Sequence, residues 1–242
     1  MKRIGKRLFI MAAMAVLGGL CTKDVAAGDY RTIDASLRHT TPQWHQTVKN
    51  DGHPVGCGPT AWTILYGYWK QHKGKGNLLN GVSMPHSQTS NDPGLKAAME
   101  EIATDTDSTY GTYQGQKWGR TTPANMCDGK RYAERRGYRV TCERILGTEF
   151  DKFDRARAWI AADKPVIILI NDPAQAFSSL HYPVIEQAQK KQKRVLGSWR
   201  DRDVSYFINN GNGGDEWIWV REVGGNDHPH TGSFSMFLVD IE

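Results

Sequence analysis

The segment Gly56-Cys57-Gly58-Pro59-Thr60, running into Ala61-Trp62-Thr63-Ile64-Leu65-Tyr66-Gly67-Tyr68-Trp69, constrains the fold more than any other stretch. Pro59 suits a first helical turn, where a missing N–H costs nothing. From Ala61 to Trp69 only Thr63 and Gly67 interrupt an apolar run. A helix without a polar face is covered on every side, so the rest of the chain packs around it. Cys57 then stands at the positive end of a central helix, where the thiolate is favoured over the thiol. A cysteine there also suits plain packing, because free Cys is among the most buried residue types. A base and an orienting group elsewhere decide between the two readings.

Residues 1–27 read as a secretory signal peptide: basic residues up to Arg7, an apolar run from Leu8 to Leu20, and Val25-Ala26-Ala27 as small residues for cleavage. Leu20 precedes Cys21 where a lipid-modified cysteine usually follows a small residue, so simple cleavage after Ala27 is expected. The apolar run is short for a membrane span and no later stretch replaces it, so no stable membrane insertion is expected. The net charge of +5 is mostly this segment's: Lys2, Arg3, Lys6, Arg7 and Lys23 against Asp24 leave the remainder near +1. That balance gives no reason to expect a nucleic-acid partner. After cleavage Cys57, Cys127 and Cys142 remain. An odd count in an exported chain points to one free thiol or to an intermolecular bond. Cys127 and Cys142 are close enough in sequence to close a short loop, which leaves Cys57 free.

Residues 28–55 form a polar lead-in, and residues 70–92 a loop rich in Lys, Gly, Asn and Ser. Asp92 caps a helix opened by Pro93, with Leu95, Ala98, Met99 and Ile102 on one face. Residues 104–122 read as a long loop on the rim of a cleft. A helix follows from Thr122-Pro123 to about Arg136, then a strand at 138–141 and a helix over 150–160. Pro165 to Ile170 is a continuous apolar, largely β-branched run and reads as a buried strand. Further strands are expected at 181–187, 194–199, 204–208, 217–220 and 234–240. Helices first and strands later predict one α+β domain over 28–242, an antiparallel sheet packed on the Cys57 helix.

Among the histidines, His181 opens a strand-like segment in the sheet half, a rigid platform for a general base. His228 and His230 with Asp227 lack a second ligand cluster and read as a solvated loop, so neither metal nor cofactor is expected. Tyr206-Phe207-Ile208-Asn209 ends a strand before a Gly-rich turn. Asn-Gly alone signals a hairpin. An amide at a strand end, after Cys and His in chain order, is also what holds an imidazole in a thiol protease.

On these segments the chain resembles a papain-fold cysteine peptidase. Gly56-Cys57-Gly58-Pro59-Thr60-Ala61-Trp62 is similar to the helix start of bacteriocin-leader-processing peptidases, and Lys164-Pro165-Val166-Ile167 with His181-Tyr182-Pro183-Val184 to their strand pair. Asn209-Asn210-Gly211-Asn212-Gly213-Gly214 resembles the Asn-Trp-Gly-x-Gly-Gly segment of streptopain. The resemblance implies a triad of Cys57, His181 and Asn209, with Asn210 as the third member if the leader-peptidase alignment holds. Those families place a Gln six residues before the cysteine. Here that position is Asp51, whose charge would repel an oxyanion. Gln46 takes the role if 47–55 is an insertion; otherwise the Cys57 N–H serves, with Asn50 or His53.

The implied activity is hydrolysis of protein or peptide substrates outside the cell or in the periplasm. A thiol amidase acting on peptidoglycan stem peptides is a second reading, although such enzymes often show Asp-Cys-Ser-Gly at the nucleophile. A papain-like domain that binds a partner without chemistry is a third.

Overall fold

The computed structural model describes residues 29–82, 87–88, 92–171, 180–221 and 232–242. The proposed signal peptide and the His228/His230 loop lie outside them. In chain order the elements are β1 (Tyr30–Ser36), β2 (Gln43–Trp44), α1 (Cys57–His72), β3 (Ser87–Gln88), α2 (Pro93–Asp105), β4 (Thr109–Tyr113) and β5 (Gln116–Arg120). A 3-10 turn (Met126–Lys130) leads into α3 (Arg131–Glu134), β6 (Val140–Ile145), α4 (Glu149–Ala161), β7 (Val166–Asn171) and β8 (Leu180–His181). The chain ends with β9 (Val184–Val195), β10 (Ser198–Asn209), β11 (Asp215–Arg221) and β12 (Ser233–Ile241).

The main sheet runs β11-β10-β9-β7-β12-β6, with β1 on β9 and β8 on β7, all antiparallel. Strand side chains alternate between faces. In β7, Ile167 and Leu169 join the core beneath α1 and α2, while Val166, Ile168 and Ile170 join the core beneath α4. A strand buried on both faces needs apolar residues at every position, which is why Val166 to Ile170 shows no alternation. The α+β architecture is therefore three layers: α1 and α2, the sheet, and α4.

α1 is buried from Gly58 to Trp69. The sheet covers one side. Trp62 Nε1–H donates to the Met126 carbonyl (2.7 Å) and Tyr66 O–H to the Gly129 carbonyl (2.8 Å), pinning the 3-10 turn to another. A Cβ on Gly67 would sit 2.6 Å from the Trp44 ring and 2.7 Å from Pro42, so this glycine lets the lead-in cross the helix. Cys127 of the 3-10 turn and Cys142 of β6 form a disulfide, and Cys57 is free.

Three local expectations are corrected. Residues 104–122 are not a loop throughout: β4 and β5 form a hairpin there. The helix expected from 122 to 136 is only the 3-10 turn and the single turn of α3. Of the separate strands expected between 181 and 208, His181 lies in β8 and the residues from Val184 onward belong to one long ribbon of β9 and β10. No described helix is long and apolar enough to cross a membrane.

Candidate active site

Cys57 is the first residue of α1. Gly56 before it has φ 100°, a left-handed conformation that favours glycine. A Cβ there would also lie 3.1 Å from the Gly119 backbone of β5. No side chain caps the helix and no carboxylate lies in its first turn. The first N–H groups of the helix are thus without a side-chain cap beside the sulfur.

His181 ends the short β8, opposite Ile170 of β7, and is 5% exposed. Its Nε2 lies 2.8 Å from the main-chain carbonyl of Asn210. A carbonyl only accepts, so Nε2 carries a proton, and Nδ1 remains for the proton shared with Cys57. Burial pushes the Cys57 thiol up, but the hydrogen bond and charge of His181, with the Tyr182 N–H, bring it below its ordinary value. Burial likewise opposes the charged imidazole, yet Cys57 and then Asn210 raise its pKa to about 9. Each shift favours the charged form of its group, so the pair is biased toward thiolate and imidazolium.

Asn209 does not meet the ring. Its Nδ2 donates to Thr41 Oγ1 (2.8 Å) and to the Pro42 carbonyl (2.9 Å), and its Oδ1 accepts from Gly211 N–H (3.0 Å). The expectation that its side chain orients His181 is corrected. Asn209 is still in the ladder, opposite Val184 and Asp215, and its fully buried side chain points toward the lead-in. Asn210 has entered the turn, so its carbonyl swings to the imidazole. The Asn210 Nδ2 donates to Glu216 Oε1 at 2.7 Å.

Gln46 and Cys57 line the same cleft of about 760 Å³, with Thr60, His181 and Asn210. They are far apart in sequence because 47–55 loops out and returns. Val48 bridges Pro54, Lys49 N–H donates to the His53 carbonyl (2.8 Å), and Val55 N–H to the Thr47 carbonyl (2.9 Å). Asp51 sits on this excursion, accepting from His53 N–H and lying 3.2 Å from His53 Nδ1. The Asn50 Oδ1 accepts from Lys96 Nζ. The opposite rim of the cleft is the β4–β5 hairpin and the residue after it, from Tyr113 to Thr121. The sequence marked this stretch as part of the rim but as a loop, without the hairpin.

A free thiol at the start of a central helix, facing a histidine on an antiparallel sheet across an open cleft, defines a papain-like cysteine peptidase. The chain belongs to the Peptidase_C39 like family, which it matches over residues 39–203. The fold is similar to the solved structure of active wild-type Prevotella intermedia interpain A cysteine protease, with TM-score 0.52 and 13% identity, over 85% of this chain and 94% of that one. No curated protein sequence matches it.

Proposed function

We propose that the protein is an exported peptidase that cleaves peptide bonds through a thioester. The Cys57 thiolate attacks the scissile carbonyl, and His181 Nδ1 gives its proton to the leaving amine. The Cys57 N–H and the Gln46 side chain stabilise the oxyanion. Water then enters, His181 takes its proton, and the S–C bond breaks to release the acid and restore the thiolate–imidazolium pair. The Asn210 main-chain carbonyl holds Nε2–H through both steps. Nothing in this sequence needs a metal or cofactor. Export rests on the signal-like residues 1–27, leaving 28–242 as the peptidase domain, and the disulfide suits an oxidising compartment.

The observation that carries the reading is the mutual shift of Cys57 and His181 beside a cleft large enough for a peptide. The test incubates residues 28–242 and its Cys57→Ala variant with labelled casein and with purified peptidoglycan. Casein cleavage by the wild type and none by the variant supports the proposal. Release of stem peptides alone makes it an amidase, and no cleavage of either by an alkylatable wild type makes it a binding domain.

A further inference from the structure

The mechanism leaves a group of buried polar side chains unused directly beneath it. Glu186 of β9 is 3% exposed, and burial raises its pKa, opposed by its bonds to Thr41. Its Oε1 accepts from both the N–H (2.7 Å) and the O–H (2.5 Å) of Thr41. The same Thr41 oxygen accepts from Asn209. Thr41 and Asn209 are fully buried. A buried carboxylate, hydroxyl and amide in series cost free energy unless each is satisfied in one arrangement. Such a chain therefore has a single geometry, and anything bonded to its end inherits it.

Asn209 is that end, and it holds both sides of the cleft. Through Gly211 N–H it fixes the residue after Asn210, and the carbonyl of Asn210 meets His181. Through the Pro42 carbonyl it fixes the lead-in just before Gln46. The two sides then touch directly, Gln46 N–H donating to the Gly211 carbonyl (3.2 Å). Gly211 has φ 68°, so the turn that makes both contacts is available to glycine at little cost.

We propose that Glu186, Thr41 and Asn209 are positioning residues that hold the His181 acceptor and Gln46 in one fixed relation to Cys57. This rests on the catalytic reading of Cys57, His181 and Gln46. None of the three positioning residues touches substrate. Their effect is orientation, and a displacement of about an ångström at the reacting groups is worth up to about a hundredfold in rate.

The experiment compares Thr41→Val, which loses the hydroxyl at nearly constant volume, with Thr41→Ser, which keeps it. Three quantities are read: kcat and KM on a cleaved peptide, the pH profile of Cys57 alkylation by iodoacetamide, and the thermal midpoint. A well-held imidazolium lowers the Cys57 pKa, so a loosened one lets it rise. Thr41→Val is expected to lower kcat by about tenfold or more, with KM little changed. The acid limb of its alkylation should move up by roughly half a pH unit, while Thr41→Ser stays near wild type in both. A purely structural role would lower the thermal midpoint and leave the limb in place. The proposal is overturned if folded Thr41→Val keeps the wild-type limb and kcat, or if Thr41→Ser falls as far as Val. Should Thr41→Val not fold, Asn209→Ser carries the same expectation. Alkylation needs no substrate: if the wild type cleaves nothing yet the limb still moves in Thr41→Val, the peptidase reading fails and the positioning role stands.

Discussion

Removing the Cys57 sulfur should collapse the pKa of His181, and the size of the collapse follows from the site. The imidazole is raised from 6.5 to about 9 against the opposing effect of burial, and its two largest upward causes are the hydrogen bond and charge of Cys57. At about 1.4 kcal/mol per unit, the net rise is roughly 3 kcal/mol in favour of the imidazolium. In Cys57→Ala the burial remains and only the Asn210 contact still favours the charge. His181 should then titrate at or below the ordinary histidine value of about 6.5. The assay is an NMR titration of the His181 ring protons in wild type and variant, with the wild type kept reduced. The partner shift has its own readout. An ordinary thiol of pKa about 8.5 gains thiolate about tenfold per unit between pH 6 and 8. Alkylation of Cys57 should climb less steeply than that across the span, because pairing with His181 lowers its pKa. A His181 that still titrates near 9 without the sulfur would refute the pairing, as would a Cys57 rate climbing tenfold per unit.

Three other outcomes follow from the same structure. Gln46→Ala should lower kcat by about a hundredfold, the usual effect of deleting one oxyanion donor, whereas Asp51→Ala, out on the 47–55 excursion, should leave kcat within about twofold; equal losses would return the role to Asp51's neighbours. Lys117 and Arg120 are the charged residues that join His181 in lining the cleft among the described residues, and Lys117 already donates to the Asp51 carbonyl. Peptides with Glu beside the scissile bond should therefore be cut about two- to fivefold better than those with Lys, and Arg120→Glu should reverse the preference, read as kcat/KM at low and high salt. The disulfide closes a loop with a sequence separation of 15, for which chain entropy gives about 3 kcal/mol; urea unfolding of Cys57→Ala with and without reductant measures it, and an unchanged midpoint refutes it.

The parts of the molecule that could be read from the sequence are those where one residue type has one physical use. Nothing but a central helix accommodates Ala61 to Trp69, and nothing but a strand buried on both faces accommodates Val166 to Ile170. Cys57 opens that helix and His181 lies on the short β8 that pairs with that strand, so their meeting could be anticipated. The β4–β5 hairpin had no such signature. It is a polar ribbon that leaves most of its side chains exposed, and apolar periodicity marks only strands with a buried face. Its turn, Gln114-Gly115, is visible only once positive φ at both residues is known. The β9–β10 ribbon was broken up for a related reason. Its outer half is carried by lysines and glutamines, and its turn puts exposed Leu196 at φ 48°, where a sequence reading expects Asn or Gly. The third member of the site was the hardest. A carboxamide announces itself as Asn, and two stood side by side. What meets the imidazole is Asn210, through its main-chain carbonyl, which every residue has, as well as its side chain. Only the ladder register, with Asn209 paired and Asn210 released into the turn, says which carbonyl is free to reach it. That register is set by the local hairpin to Asp215 together with the distant pairing to Val184, and the second of these has no local pattern. The same argument explains Thr41 and Glu186: a threonine in a polar lead-in and a glutamate in a charged strand become a buried relay only when β9 and β10 bring them to the foot of the turn.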